Sequence, residues 1–288
     1  MLDGQVTANG VEFAYLEAGP ADGPLALCLH GFPDTAHTYR HLLPALARAG
    51  YHAVAPWMRG YAPTAVPADG AYQAGALGSD ACALHQALGG DDRAVLIGHD
   101  WGAFAAYCAA PYEPKRWCKV VTVAIPPPGI VAQSFFTYDQ FKRSFYVFLF
   151  QTPLAEMALA TGDLHFVERL WADWSPGYDS TWDVARVHEA LAEGPNLHAA
   201  VGYYRAMLDP SLHQPAYAAV QAAAGTPPQP TLNLHGDKDG ALFLDPASDV
   251  VSALSEGSRH VRVADAGHFL HLERPDEVND LILDFLSG

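Results

Sequence analysis

Between Pro24 and Val123, four short, almost unbroken apolar runs alternate with helix-like segments, and this alternation restricts the chain to very few folds. The runs are Leu25 to Leu29, Tyr51 to Ala55, Ala94 to Ile97 and Val120 to Ile125. Because they lack the polar alternation of a half-exposed strand, they predict strands covered on both faces, as in a parallel sheet. Helical patterns at His37 to Ala49, Ala74 to Leu88 and Trp101 to Ala110 supply the crossovers, the first two closed by Gly50 and by Gly89-Gly90. Strand and helix in alternation predict βαβ units and an α/β fold.

The pattern breaks at Pro126-Pro127-Pro128-Gly129, since three prolines cannot continue a central strand. From Ile130 to about Pro210 only helical, aromatic-rich segments follow. After the turn-rich Gly225-Thr226-Pro227-Pro228-Gln229-Pro230, strand-like runs return at Thr231 to His235 and His260 to Val263. One sheet interrupted by an insertion accounts for this: a core formed by residues 1–128 and 211–288, with a helical cap over 129–210. A length of 288 residues suits one α/β core carrying an inserted subdomain. With half its residues hydrophobic and 17% charged, the chain has the apolar mass for a large buried core.

Gly98-His99-Asp100-Trp101-Gly102 follows the run Val95 to Ile97 and opens a helix. This is the setting of a nucleophile elbow, G-x-Nu-x-G, whose glycines permit a turn too tight for side chains, and here Asp occupies the nucleophile position. An Asp at a helix start is also an ordinary N-cap, so the motif alone leaves two readings. His30-Gly31-Phe32-Pro33 ends the run Leu25 to Leu29, where a fold built around such an elbow takes one oxyanion N–H; the residue after the nucleophile gives the other. The donors would be Phe32 and Trp101. Leu234-His235-Gly236-Asp237-Lys238-Asp239-Gly240 places carboxylates at a further strand end, and Ala266-Gly267-His268-Phe269 brings a late histidine. Nucleophile, acid and histidine thus follow in the chain order that elbow requires.

With these motifs, the segments Pro24 to Pro128 and Pro230 to Phe285 resemble the α/β-hydrolase superfamily. Gly98 to Gly102 together with His30 to Pro33 resemble its epoxide hydrolase branch. The resemblance places the triad acid on Asp239 ahead of Asp237, makes His268 the base and makes His271 structural. No carboxylate occurs in the Pro126 to Pro128 turn, the alternative acid position used by some dehalogenases. The resemblance also implies two acid tyrosines in the cap. Phe145 to Pro153 is similar to the first cap segment, with Tyr146 at the matching position, and Gly202 to Met207 is similar to the second, with Tyr204 preceding Arg205. Packing is the competing account of both, because aromatics at helical spacing commonly face a core.

The expected chemistry is attack by the Asp100 carboxylate on an epoxide carbon, then hydrolysis of the ester by water that His268 deprotonates, giving a vicinal diol. An ionised carboxylate needs no base to attack an activated carbon, which leaves the histidine free for the second step. The alternative is a haloalkane or haloacid dehalogenase with the same nucleophile; Phe32 stands where such enzymes commonly have Asn, although the cap tryptophans Trp171, Trp174 and Trp182 offer other halide donors. A ligand-binding protein without turnover is the remaining reading, and retention of Asp100, Asp239 and His268 together argues against it.

The 32 acidic and 16 basic residues, a formal charge of −16, disfavour nucleic acid and anionic lipid as partners. No apolar stretch approaches a membrane span and Met1 to Gly10 lacks a signal-peptide pattern, so the expectation is a cytoplasmic enzyme acting on a small apolar epoxide. A homodimer is compatible with this reading. Neither a G-x-G-x-x-G nor a P-loop pattern occurs, and His37 with His41 lacks a third ligand, so neither cofactor nor metal is expected. Cys28, Cys82, Cys108 and Cys118, without paired spacing, are expected to be reduced core residues. Trp57, Arg59 and Tyr61 could line the pocket or pack the loop after their strand.

Overall fold

The computed structural model describes residues 2–288 and is built on one eight-stranded sheet. The strands are β1 (Leu2–Ala8), β2 (Val11–Ala18), β3 (Leu25–Leu29), β4 (His52–Pro56), β5 (Val95–His99), β6 (Lys119–Val123), β7 (Thr231–Gly236) and β8 (Arg259–Val263). In space they run β1-β2-β4-β3-β5-β6-β7-β8. The β1–β2 and β2–β4 pairs are antiparallel and the rest parallel. Every residue of β3, β4 and β5 is buried, as apolar runs covered on both faces require. This mostly parallel sheet flanked by helices is the α/β-hydrolase arrangement.

Helices α1 (Leu42–Arg48), α2 (Ala74–Ala87) and α3 (Trp101–Tyr112) connect the central strands. Between β6 and β7 lie α4 (Pro128–Ser134), α5 (Tyr138–Arg143), α6 (Phe145–Leu149), α7 (Ala155–Ala160), α8 (His165–Trp174), α9 (Thr181–Leu191), α10 (Gly194–Leu208) and α11 (Ala218–Ala222). The chain closes with α12 (Leu270–Glu273) and α13 (Pro275–Ser287).

The sheet order explains where a site can form. From β3 the chain moves outward to β4, then returns to β5 on the other side of β3. The loops leaving β3 and β5 therefore diverge, and a crevice opens at the carboxyl ends of these strands. Helices α8 and α10 are held over the loops after β3 and β4 by buried hydrogen bonds: Trp171 Nε1–H donates to Pro33 O at 2.8 Å, Asn196 Nδ2–H to Gly60 O at 2.7 Å and Tyr203 O–H to Arg59 O at 2.8 Å.

Three expectations need correction. The hairpin β1–β2 is absent from the predicted strands, although its turn, Asn9-Gly10, has both residues at positive φ, the geometry for which Asn-Gly is preferred. The helix expected over His37 to Ala49 is broken into a 3₁₀ turn at Ala36–Tyr39 and the separate α1. The turn is held by tertiary contacts, since Tyr39 O–H donates to Leu29 O at 2.6 Å and Arg40 forks onto the carboxylate of Asp183. Cys118 is exposed just before β6, whereas Cys28, Cys82 and Cys108 are buried; all four are free thiols.

Candidate active site

Asp100 stands between β5 and α3 with φ +50° and ψ −117°, a backbone conformation that non-glycine residues rarely adopt. The turn closes because its flanking glycines have no side chains. A Cβ at Gly98 would lie 2.2 Å from Gly102 O, and one at Gly102 would lie 2.0 Å from Leu29 O. Gly31 is required for a different reason: a Cβ there would lie 2.3 Å from Asp100 Oδ1, inside the carboxylate itself.

The neighbouring loop is rigid. His30 Nδ1–H donates to Gly31 O at 2.8 Å, and Nε2 accepts from Met58 N–H at 2.9 Å, which defines one neutral tautomer. Burial keeps it neutral, lowering the His30 pKa to about 3. The loop aims Phe32 N–H at Asp100 Oδ1, 2.8 Å away. Trp101, as the first residue of α3, contributes one of the amides that a helix start leaves without an intrahelical partner.

On the other side of the carboxylate, His268 Nε2 is 3.7 Å from Asp100 Oδ2, too long for a hydrogen bond but close enough for strong charge coupling. His268 Nδ1 is 3.0 Å from Asp239 Oδ2. Asp239 Oδ1 accepts from Ala241 N–H and Leu242 N–H at 2.7 and 2.9 Å. The acid is thus oriented before it orients the imidazole. Burial opposes charge on all three groups, but mutual attraction prevails. Asp100 and Asp239 are held below the usual carboxylate range by His268, and His268 is raised to about 10 by Asp239 and Asp100. Asp237, two residues before Asp239, is exposed.

Tyr146 on α6 and Tyr204 on α10 line one cavity together with Asp100, Trp101, Leu242 and His268. Their rings meet edge to face at 5.4 Å, and Tyr204 also packs on Phe32 and Trp101. Adjacent tyrosines on α10 have different environments. Tyr203 O–H is engaged by Arg59 O, whereas the buried Tyr204 hydroxyl has no hydrogen-bond partner among the described residues. Burial, reinforced by the Asp100 charge, raises both Tyr146 and Tyr204 well above the ordinary phenol range, so both carry their protons. Tyr204 is held in place by its surroundings: Gln151 Nε2–H donates to Tyr204 O at 2.9 Å, and the next residue, Arg205, pairs with Glu156 at 2.7 and 2.9 Å.

Of the remaining expected residues, Pro33 receives the Trp171 indole N–H, and His99 is fully buried with Nε2 3.1 Å from His268 O. Arg59 pairs with Asp80 at 2.5 and 2.6 Å, a buried anchor outside the cavity. His37 packs between Trp57 and Trp182. Two features went unread in the sequence. The Trp174 carbonyl accepts both Gly240 N–H at 3.1 Å and His268 N–H at 2.9 Å, so the end of α8 ties the acid loop to the histidine loop. No spacing signal connects residue 174 to 240 and 268. The other is Asp34, directly after His30-Gly31-Phe32-Pro33, which with His99 and His271 forms a buried group whose donor atoms lie within 4.8 Å of one another. Among the described residues this group has a donor set that could hold a cation.

Residues 24–275 match the family model for the alpha/beta hydrolase fold. The chain is 30% identical to the AB hydrolase superfamily protein YfhM of Bacillus subtilis, covering 98% of this chain and 97% of that one. It is 29% identical to epoxide hydrolase A of Mycobacterium tuberculosis, covering 98% and 96%. The crystal structure of epoxide hydrolase A from Mycobacterium thermoresistibile superposes with a TM-score of 0.80 at 28% identity, over 100% of this chain and 98% of that one.

Proposed function

The chain belongs to the α/β-hydrolase fold family, in its epoxide hydrolase branch, and from that membership and the site's geometry we propose that it converts an epoxide and water to a vicinal diol through an ester on Asp100. One observation carries this reading: a carboxylate, an acid-oriented histidine and two protonated tyrosines face a single, largely apolar cavity. Residues 129–210 act as a cap whose part in the chemistry is to bring the tyrosines to the nucleophile.

In the first step an Asp100 oxygen attacks an epoxide carbon as the C–O bond opens. Tyr146 and Tyr204 donate to the departing oxygen, which is too basic to leave as a free alkoxide. The ester neutralises Asp100 and so removes one of the two charges that raise His268. His268, now supported only by Asp239, falls in pKa and gives up its resting proton, which returns to the phenol that protonated the substrate oxygen; the neutral imidazole is then free to act as the base. It takes a proton from water, the hydroxide adds to the ester carbonyl, and Phe32 N–H and Trp101 N–H receive the oxyanion. Collapse releases the diol and regenerates the Asp100 carboxylate.

Replacing His268 uncouples the steps. In His268→Gln, one substrate mass is expected to accumulate on the intact protein and to map to Asp100. A single turnover of the unaltered enzyme in heavy-oxygen water is expected to release diol containing light oxygen from Asp100; heavy oxygen in that first diol would mean direct attack by water. Hydrolytic dehalogenation is the second reading, because the same nucleophile, histidine and acid serve it and Trp174 packs against His268. A chromogenic epoxide and a bromoalkane tested side by side separate the two by diol or bromide formed.

A further inference from the structure

Behind the His268 loop lies a second buried acid–histidine group that the proposed reaction does not use. Asp34 follows the β3 loop, His99 ends β5 and His271 belongs to α12; they are 2%, 0% and 3% exposed, and none lines the cavity. Each has one engaged polar atom. Asp34 Oδ1 accepts Thr35 N–H at 2.7 Å, His99 Nε2 meets His268 O at 3.1 Å, and His271 Nε2 meets the Thr38 hydroxyl at 2.6 Å. The other atom of each, Asp34 Oδ2, His99 Nδ1 and His271 Nδ1, is buried without a hydrogen-bond partner among the described residues, and the three side chains bring one ligand atom each within 4.8 Å of one another.

His99 decides the proton count. Its Nε2 faces a carbonyl, which only accepts, so Nε2 carries hydrogen and Nδ1 of the neutral ring is a bare lone pair. That lone pair is 3.6 Å from Asp34 Oδ2, itself an acceptor when ionised. Two acceptors facing each other away from water are unfavourable, whereas one proton between them turns the contact from repulsive to attractive and leaves the group uncharged. Burial raises the Asp34 carboxyl above its ordinary range, which favours the carboxyl as the proton's place. A divalent cation at the same atoms would leave net positive charge beside His268.

We propose that Asp34 and His99 form a positioning couple for the base: a protonated Asp34 carboxyl, 3.6 Å from the His99 Nδ1 lone pair, keeps the ring in the tautomer whose Nε2–H holds the main-chain carbonyl of His268. The His268 peptide is then held from both sides, its N–H by Trp174 O from the inserted helices and its C=O by His99 from the core. Asp239 sets the tautomer of the imidazole, and these main-chain clamps set its place. The inference rests on His268 being the base of the second step.

The test follows ester formation and ester loss separately, by rapid quench and intact-protein mass spectrometry, alongside thermal melts. In His99→Leu and Asp34→Leu, ester is expected to form at close to the unaltered rate and to decay on the order of 10- to 100-fold more slowly, the scale of a misplaced catalytic group. His99→Gln keeps an N–H near Nε2, and Asp34→Asn keeps a donor toward Nδ1, so both are expected to recover most of the decay rate. Decay at the unaltered rate in the Leu variants, equal slowing of both steps, or failure of Gln and Asn to rescue would each overturn the proposal. If the Leu variants do not fold, His99→Asn, whose amide is too short to reach the His268 carbonyl, takes their place against His99→Gln. His268→Gln serves as control: no trapped ester there removes the mechanism itself, whereas ester trapped there with normal decay in the His99 variants removes only the couple.

Discussion

Asp100 occupies a conformation that costs a non-glycine residue on the order of 1–3 kcal/mol, and the surrounding glycine contacts enforce it because no relaxed turn would present the carboxylate to the cavity. Around it, burial separates residues of equal chemistry. Tyr203 and Tyr204 are neighbours in sequence, yet one hydroxyl is engaged by Arg59 O and the other has no hydrogen-bond partner among the described residues. The double change Tyr146→Phe with Tyr204→Phe is therefore expected to slow ring opening by on the order of 10²-fold or more, the usual worth of a positioned acid, with an unchanged melting temperature. Near-normal epoxide turnover in that variant would favour the dehalogenase. Asp239 and Asp237 form a similar pair, the first buried against His268 and the second exposed. Asp239→Asn is expected to slow ester hydrolysis on the order of 10³-fold or more, and Asp237→Asn by no more than severalfold; a quench-flow comparison that reversed the order would reassign the acid.

Elements are placed by contacts that local sequence does not announce. The β5–α3 elbow depends on Gly102 lying against the backbone of β3, so Gly102→Ala must push Leu29 aside. A loss of about 1–3 kcal/mol of stability is expected, read as a lowered urea midpoint. Gly129→Ala, in α4 with nothing within 4 Å of the new methyl, is expected to stay within about 0.5 kcal/mol in the same measurement. The broken helix at Ala36–Tyr39 follows the same logic: periodicity through His37 to Ala49 favours continuity, but contacts of Thr38 with His271 and of Tyr39 with Leu29 O hold the first part apart from α1. The β1–β2 hairpin was legible and overlooked, because Asn9-Gly10 between two seven- or eight-residue runs is a strong local turn signal.

Across the whole molecule, titration of the site should be visible in stability. His268 has a folded pKa of about 10, above the imidazole value of an unfolded chain, so its stabilising contribution is full below about pH 6.5 and is lost as pH rises toward 10. His30, His235, His260 and His271 are shifted downward by burial and must accept protons on unfolding in acid, so they remove stability as pH falls below about 6.5. The melting temperature is expected to peak near neutrality and to decline on both sides. In His268→Gln the decline between about pH 7 and 10 should flatten while the acid side persists; an unchanged alkaline limb in calorimetry would mean that His268 is not held charged in the resting enzyme.

The sheet was readable from sequence because a strand buried on both faces must be apolar along its whole length, and that requirement leaves a local mark at Leu25 to Leu29 and Val95 to Ile97. The elbow left a mark for the same reason, since only glycine fits at positions 98 and 102. The meeting of Asp100 with His268, of Tyr146 with Tyr204, and of the Trp174 carbonyl with both Gly240 and His268 left none. Such contacts join residues tens to more than a hundred positions apart, and no periodicity along the chain encodes a distance across it. The same holds for the protonation states of Asp34 and His271. A side chain's charge is set by the burial and partners it acquires on folding, and only the tertiary structure supplies them.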